Sequence, residues 1–427
     1  MKKLLVIAFL MLNISLPSFA VDSTQLAHSD ADRYKISLEQ AINMALDGNI
    51  ELQEQRKNLG ISQNNVKKAN ALKNPQFQSN LLMGPIAKGN SSQVGLMLPI
   101  EVTKRGARKK AALADLSYTE NKIKDYEFKL KLRVRTSYFN LLVAKSELKI
   151  MQDRRELLED LLDIAKGKPK SSPNYEIEVL QADMKLKKQD VNINRAKIDI
   201  RTAQYNFNRV LNLANNPTLY DVQDYSIFGQ EFYTQLNLPS YEDLETVAIK
   251  NRYDIKMSED KILKAKKDLE VITRQRIPDL YLSGGYAFAH DGTSGAFVGA
   301  GVDIPALYRY TPEIKNAKLE YDKAQLEYNS IINITKNVIH TNYDKFIMAQ
   351  ENVGHYKEIV EESNKILNLS KQRYRKGKTS LANLIIVEHS HQELLNEYLE
   401  AVRAYYNAYI ALLQEIGMDN FTIDIDL

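Results

Sequence analysis

Apolar residues recur at every seventh position along the long stretches of this chain and at every second position along four short ones. Between Ala107 and Ala165 no proline or glycine interrupts, and Leu116, Ile123, Leu130, Ser137, Ala144, Met151, Leu158 and Ala165 form one row beside Val134, Leu141, Leu148 and Leu162. Ile332, Ile339, Phe346, Val353, Val360 and Leu367 repeat that spacing later in the chain. A seven-residue period sustained this long predicts coiled-coil packing, and at 1.5 Å per residue each helix runs to roughly 90 Å. Returning helices carry the same period in Ile177, Met184, Val191, Ile198 and Tyr205, and in Leu395, Val402, Tyr409 and Ile416. The expected helices are about 107–165, 174–212, 313–373 and 381–416.

Where proline halts the helical pattern the period falls to two. After Asn74-Pro75, Phe77, Leu81 and Met83 alternate with Gln76, Gln78 and Asn80. Val94, Leu96 and Leu98 alternate up to Pro99, and Val298, Ala300, Val302 and Ile304 up to Pro305. These segments predict strands within about 76–99 and 280–304. At about eight to eleven residues they have the length of a transmembrane β-strand, roughly 9–11 residues. Phe77, Leu81, Val94, Leu96, Leu98, Val298, Val302 and Ile304 are then the lipid-facing positions, and Phe77, Tyr281, Tyr286 and Phe288 candidates for an aromatic girdle.

The chain is also written twice. Ser37-Leu38-Glu39 returns as Ser240-Tyr241-Glu242 in constant step with Ala45 and Ala248, and with Pro75 and Pro278. Lys166-Gly167-Lys168 returns as Lys376-Gly377-Lys378. The period exceeds that of solenoid repeats and implies two similar halves side by side. The chain divides into a signal peptide at 1–20, a first repeat at 21–212, a linker or equatorial segment at 213–239, a second repeat at 240–417 and a tail at 418–427. The signal peptide rests on Lys2-Lys3, the apolar run Leu4 to Leu12 and Ser18-Phe19-Ala20.

Composition narrows the functional classes. No cysteine occurs among 427 residues, so disulfides, thiolate metal sites and a lipidated cysteine are excluded. Fifty-eight basic side chains balance 54 acidic ones, which argues against a nucleic-acid partner. The six histidines are too scattered for a metal set, and no nucleophile elbow, phosphate loop or zinc-protease motif is present. No metal, cofactor or enzyme activity is expected. Four strands cannot close a barrel, and an open edge in lipid leaves backbone groups without partners, so several chains must each contribute four.

The opening Ile36-Ser37-Leu38-Glu39-Gln40-Ala41, its second copy, the junctions Leu98-Pro99-Ile100 and Asp303-Ile304-Pro305, and Tyr374-Arg375-Lys376-Gly377-Lys378-Thr379 together resemble the TolC family of outer-membrane efflux proteins. Glu101 with Lys104-Arg105 resembles its cation-efflux branch. The resemblance implies a mostly α protein with a small β part. Duplicated helical hairpins would form a periplasmic α-barrel in a homotrimer, and four strands per chain a 12-stranded outer-membrane β-barrel. It further implies a passive exit duct in a Gram-negative outer membrane, serving a tripartite efflux or type I secretion system. The partners would be a periplasmic adaptor and an inner-membrane pump of RND or ABC type. A periplasmic adaptor or a soluble coiled-coil scaffold is the alternative, although an adaptor carries one hairpin between β domains and this chain carries two.

In the family, the far helix ends close an iris with a Tyr before the second turn, an Arg five residues later and two Asp in the next turn. Tyr374 matches the Tyr. Thr379 beside Lys378 stands at the Arg position, and Asn383 and Ile386 at the Asp positions. The implied gate is Tyr374, Arg375, Lys378, Asn383 and Glu178, with Arg375 or Lys378 bridging to Glu178. Lys166, Gly167, Lys168, Lys376, Gly377 and Thr379 are the implied adaptor-contact tips.

Overall fold

The computed structural model describes residues 34–82, 91–171, 175–213, 219–223, 235–289 and 291–419. The signal segment, Met83, Pro173, most of the linker and most of the tail lie outside these residues.

One order of elements runs through the chain twice. In the first half, β1 (Tyr34–Ile36), α1 (Leu38–Gly48) and α2 (Ile50–Ala69) precede β2 (Gln76–Asn80), β3 (Ser91–Ile100), α3 (Lys104–Lys166) and α4 (Tyr175–Leu211). β4 (Tyr220–Val222) follows. The second half repeats the series as α5 (Tyr241–Asn251), α6 (Tyr253–Thr273), β5 (Asp279–Ala289), β6 (Ser294–Asp303), α7 (Thr311–Arg375) and α8 (Leu381–Ile416). With 63 and 65 residues, α3 and α7 are each about 95 Å long.

The opening helix of each half starts on a serine. Ser37 accepts from the Gln40 N–H while the Gln40 side chain accepts from the Ser37 N–H, and Ser240 accepts from the Asp243 N–H. Such caps satisfy donors that the first helical turn leaves unpaired. Ser37→Ala is expected to cost about 1 kcal/mol locally, read as faster amide exchange confined to α1. In both copies the helical run before the first proline breaks, at Asn49 and at Arg252. Asn49 caps α2 and donates to the Val210 and Leu211 carbonyls. Arg252 instead pairs with Asp254 and Glu415. Each break ties its helix to the end of the returning helix of its own half.

Three apolar clusters run along the body. Ile36, Ala41, Ala45, Leu52, Val134, Leu141, Phe207 and Val222 pack at the equator of the first half, where β1 and β4 pair in parallel. Val143 of α3 lies with Ile339, Phe346, Val353, Val402, Leu413 and Ile416 in the larger cluster, where the long helix of the first half packs against the second. The third, around Leu158, Leu162, Leu367, Tyr374, Leu381 and Leu384, lies at the ends of the four long helices.

At the other end β2, β3, β5 and β6 form one antiparallel sheet in that order. Its base is braced by ion pairs of Lys73 with Glu101 and Asp279, and of Lys104 with Asp279. Arg108 also pairs with Glu101, and Arg105 donates to the Asn70 carbonyl. Glu101, Lys104 and Arg105 thus fix the turn from strand to helix.

Candidate functional site

α7 ends in a Schellman motif: the Gly377 N–H donates to the Tyr374 carbonyl, the Lys378 N–H to Arg373, and Gly377 takes a φ of +67°. Ser380 then caps α8 by accepting from the Asn383 N–H. This tight turn leaves Tyr374 in the last helical turn of α7, 2% exposed, inside the cluster that joins α3, α4, α7 and α8. Its hydroxyl donates to Glu178 Oε2 at 3.4 Å. Lys168, in the first hairpin's turn, donates to the same oxygen at 2.6 Å and lies 4.7 Å from the centre of the Tyr374 ring. One cation therefore binds carboxylate and ring together.

The electrostatics agree with this geometry. Burial and the nearby Glu178 charge push the Tyr374 hydroxyl above its ordinary pKa, so it keeps the proton it donates. Burial is the largest single influence on the Lys168 ammonium and opposes it, but the bond to Glu178, its charge and the Tyr374 hydroxyl together outweigh burial and raise the pKa. These contacts join the two hairpins of one chain through Lys168, Glu178 and Tyr374.

Two expected pairings are corrected. Glu178 is bridged by Lys168, a residue assigned from the sequence only to the tip, whereas Arg375 lies 3.8 Å from Asp160 on the exposed surface. Lys378 stands exposed in the turn. Asn383 contributes its backbone N–H to the Ser380 cap, and its side chain is exposed. Lys166 closes α3, and the Gly167 N–H donates to the Asp163 carbonyl. Lys376 and Gly377 form the second turn, with Thr379 half-buried beside it.

A residue set that the sequence reading missed lies nearer the middle of the helices. Glu388 of α8, 2% exposed, is held by Arg154 of α3, with Nη2 donating to Oε2 at 3.1 Å and Nε 2.7 Å from Oε1. Their separation along the chain hides the pair from any local pattern.

Strand register decides the faces of the sheet. Phe77 opposes Leu96, Val94 opposes Tyr286, Leu98 opposes Leu282, Leu280 opposes Val302 and Gly284 opposes Val298. Directly opposed residues share a face, so Phe77, Val94, Leu96, Leu98, Val298 and Val302 lie on one side. By alternation Leu81 and Ile304, just beyond their strands, belong to it too. The opposite side carries Gln76, Gln78, Gln93, Ser283 and Gly301. Tyr286 and Phe288 fall on the apolar side. Tyr281, paired with Gly301, falls on the polar side and is removed from the girdle candidates. Val298 is 91% exposed.

Among the described residues no helix is long and apolar enough to cross a membrane, and no group of three or more His, Asp or Glu side chains could hold a metal ion.

No protein-family model matches the chain. It is 21% identical over 280 residues to "Toxin and drug export protein A" of Aggregatibacter actinomycetemcomitans, a match covering 64% of this chain and 59% of that protein. The matches span about half the length of the curated relatives, 59% and 41%. Among solved structures, the outer-membrane channel MtrE of Neisseria gonorrhoeae in its open state superposes with a TM-score of 0.74 at 16% identity, covering 90% of this chain and 89% of that one. CusC, described in terms of transmembrane channel formation, gives 0.74 at 14% identity, over 91% and 94%. Paired long hairpins with a four-stranded sheet at one end thus have a known counterpart: the chain has the fold of the TolC-type outer-membrane channels.

Proposed function

We propose that the protein is the exit duct of a tripartite efflux or type I secretion system: a homotrimer in the outer membrane of a Gram-negative cell, conducting substrate passively through barrel and helices. The observation that carries this reading is the sheet. It has an exposed apolar face, an opposite face of mostly polar and small residues interrupted by Met97, Tyr281 and Phe297, and edge strands β2 and β6 that pair with no further strand among the described residues. In hydrocarbon every backbone N–H and C=O needs a partner, so joining β6 of one copy to β2 of the next closes a ring of 12 strands from three chains.

The helices support the same assembly. On α4, Ile177, Met184, Val191, Ile198 and Tyr205 are all exposed, as are Leu319, Leu326, Ile359 and Ile366 on α7. Within the chain α4 packs chiefly on α3, and α7 on α6 and α8. Their bare heptad rows are therefore seams suited to neighbouring copies. Membrane fractionation with crosslinking tests the assembly: trimers in the outer-membrane fraction are expected, and a soluble monomer overturns the reading in favour of a scaffold.

The duct carries no energy source of its own, so a pump of RND or ABC type drives it through an adaptor seated on the basic turns around Lys166, Lys168 and Lys376. Crosslinkers placed at Lys166 and Lys376 are expected to capture a periplasmic partner, and capture only from Thr293, in the turn between β5 and β6, would invert the orientation. The gate reading has its own test. Tyr374→Phe combined with Glu178→Gln removes the hydroxyl bond and the Lys168 ion pair together. The pair is expected to raise single-channel conductance beyond either change alone, and conductance equal to the unmodified protein's would move the gate away from Tyr374.

A further inference from the structure

A cavity of about 250 Å³ lies between α3, α7 and α8, beginning one helical turn from Tyr374. The titratable groups around it are Asp153 and Arg154 from α3, Lys371 from α7, and Glu388 and His391 from α8. The gate described above uses none of them. Glu388 is already committed, with both of its oxygens on Arg154. His391 Nδ1 lies 2.6 Å from Ser363 Oγ of α7. Ser363 Oγ also lies 3.0 Å from the Val360 carbonyl; when its proton goes there the imidazole donates from Nδ1, and Nε2 is the position open to a further proton.

We propose that this cavity is an acid-operated latch: protonation of His391 places a second cation beside Lys371 across the α7–α8 seam, and the seam parts next to Tyr374 and frees the tip. Three features favour separation over accommodation. Glu388, the buried carboxylate that could neutralise a new charge, is occupied by Arg154. Burial disfavours the Lys371 ammonium and lowers its pKa, and the Arg375 charge adds to this against Asp160 and Glu388, so a cation is already strained at this seam. Tyr374, three residues from Lys371, owes its seat to the same α7–α8 contact through Leu381 and Leu384.

The direction with pH follows from the surroundings of His391. Burial, and then the Lys371 charge, hold its pKa below the ordinary 6.5, so the closed tip contains neutral histidine. A state that exposes His391 to water regains the ordinary value and binds the proton more readily. The closed form is therefore fully favoured above about pH 6.5 and loses ground as pH falls towards the depressed value, by up to about tenfold per pH unit for each copy.

The inference rests on the channel reading, and the test separates the two. Since the chain has no cysteine, Lys376→Cys gives a single labelling position per copy, and spin-label distances across the reconstituted trimer report tip separation. At pH 5.0 the distances are expected to lengthen relative to pH 7.5, with the open population rising several-fold. His391→Gln abolishes that response, and Lys371→Met, which removes the second cation, weakens it. Changing the exposed neighbour His389 to Gln leaves it intact. Trimers whose tips ignore acid, or respond equally with His391→Gln, overturn the latch and leave the duct standing. Failure to form membrane trimers at either pH overturns both.

Discussion

Placing arginine at Val298 is expected to abolish assembly in the outer membrane, whereas arginine at Gly301, three residues along the same strand, is tolerated. Val298 is 91% exposed near the middle of β6, on the side shared with Phe77, Leu96 and Leu98. A charge there enters hydrocarbon, at a cost of about 2–4 kcal/mol near the midplane, incurred in each of the three copies of a trimer. Gly301 points to the polar side, where water solvates the guanidinium. A Cβ added there meets only the Tyr281 Cβ, at 4.0 Å, an ordinary contact, so the side chain starts out unobstructed. Heat-resistant trimers in outer-membrane extracts provide the measurement. Equal loss from both substitutions would mean that the faces are exchanged or that the sheet does not meet lipid.

Tyr374→Ala is expected to be the most damaging change at the tip. The ring is 2% exposed and fills the space between Leu158, Leu162, Leu381 and Leu384. Truncating a buried aromatic residue to alanine costs about 3–5 kcal/mol, and here the loss falls on the contact that holds two hairpins together. Tyr374→Phe keeps the ring and removes only one 3.4 Å hydrogen bond, a loss of about 1 kcal/mol. The alanine variant should therefore give a large, persistent rise in single-channel conductance while the phenylalanine variant stays close to the original. Because the equatorial clusters are remote from this position, trimer yield should be little changed. A closed channel with alanine at 374 would show that ring packing does not hold the gate.

The two substitutions act at opposite ends of the molecule, and the two ends were not equally legible. The alternation around Phe77, Leu96 and Val302 was visible because a strand's faces follow from a period of two, which is local. The register then decided which strands share a face. Alternation within β5 and its hairpin with β6 suffice to separate Tyr281 from Tyr286; what depends on pairing across the long α3–α4 excursion between β3 and β5, which no local pattern encodes, is which face of β2 and β3 joins them.

At the tip the sequence determined less. Tyr374 comes from the resemblance to the TolC family alone, while Gly377 identifies the turn beside it because a positive φ favours glycine. The partner of Glu178 was not found: Arg375 and Lys378 were nearest in the expected motif, yet the turn geometry places Lys168 on the carboxylate. A charged tip offers several cations at similar chain distance, so backbone course decides which one reaches. The Arg154–Glu388 pair and His391 were invisible for the same reason, since their helices meet only in the folded bundle.

By itself, then, the chain determined the duplication, through residues that recur in constant step, and the long helices, the four strands and their apolar alternation, through short-range periodicity and the chemistry of proline and glycine. Tertiary structure alone decided the helix breaks at Asn49 and Arg252, the ion pair under Tyr374, the buried charges above it, and which heptad rows stay bare. On α8 Val402 and Ile416 are buried, while on α4 the row through Met184 and Val191 remains exposed. The period is the same in both. A heptad row states that a helix has a partner, and only the arrangement of neighbours shows whether that partner lies within the chain.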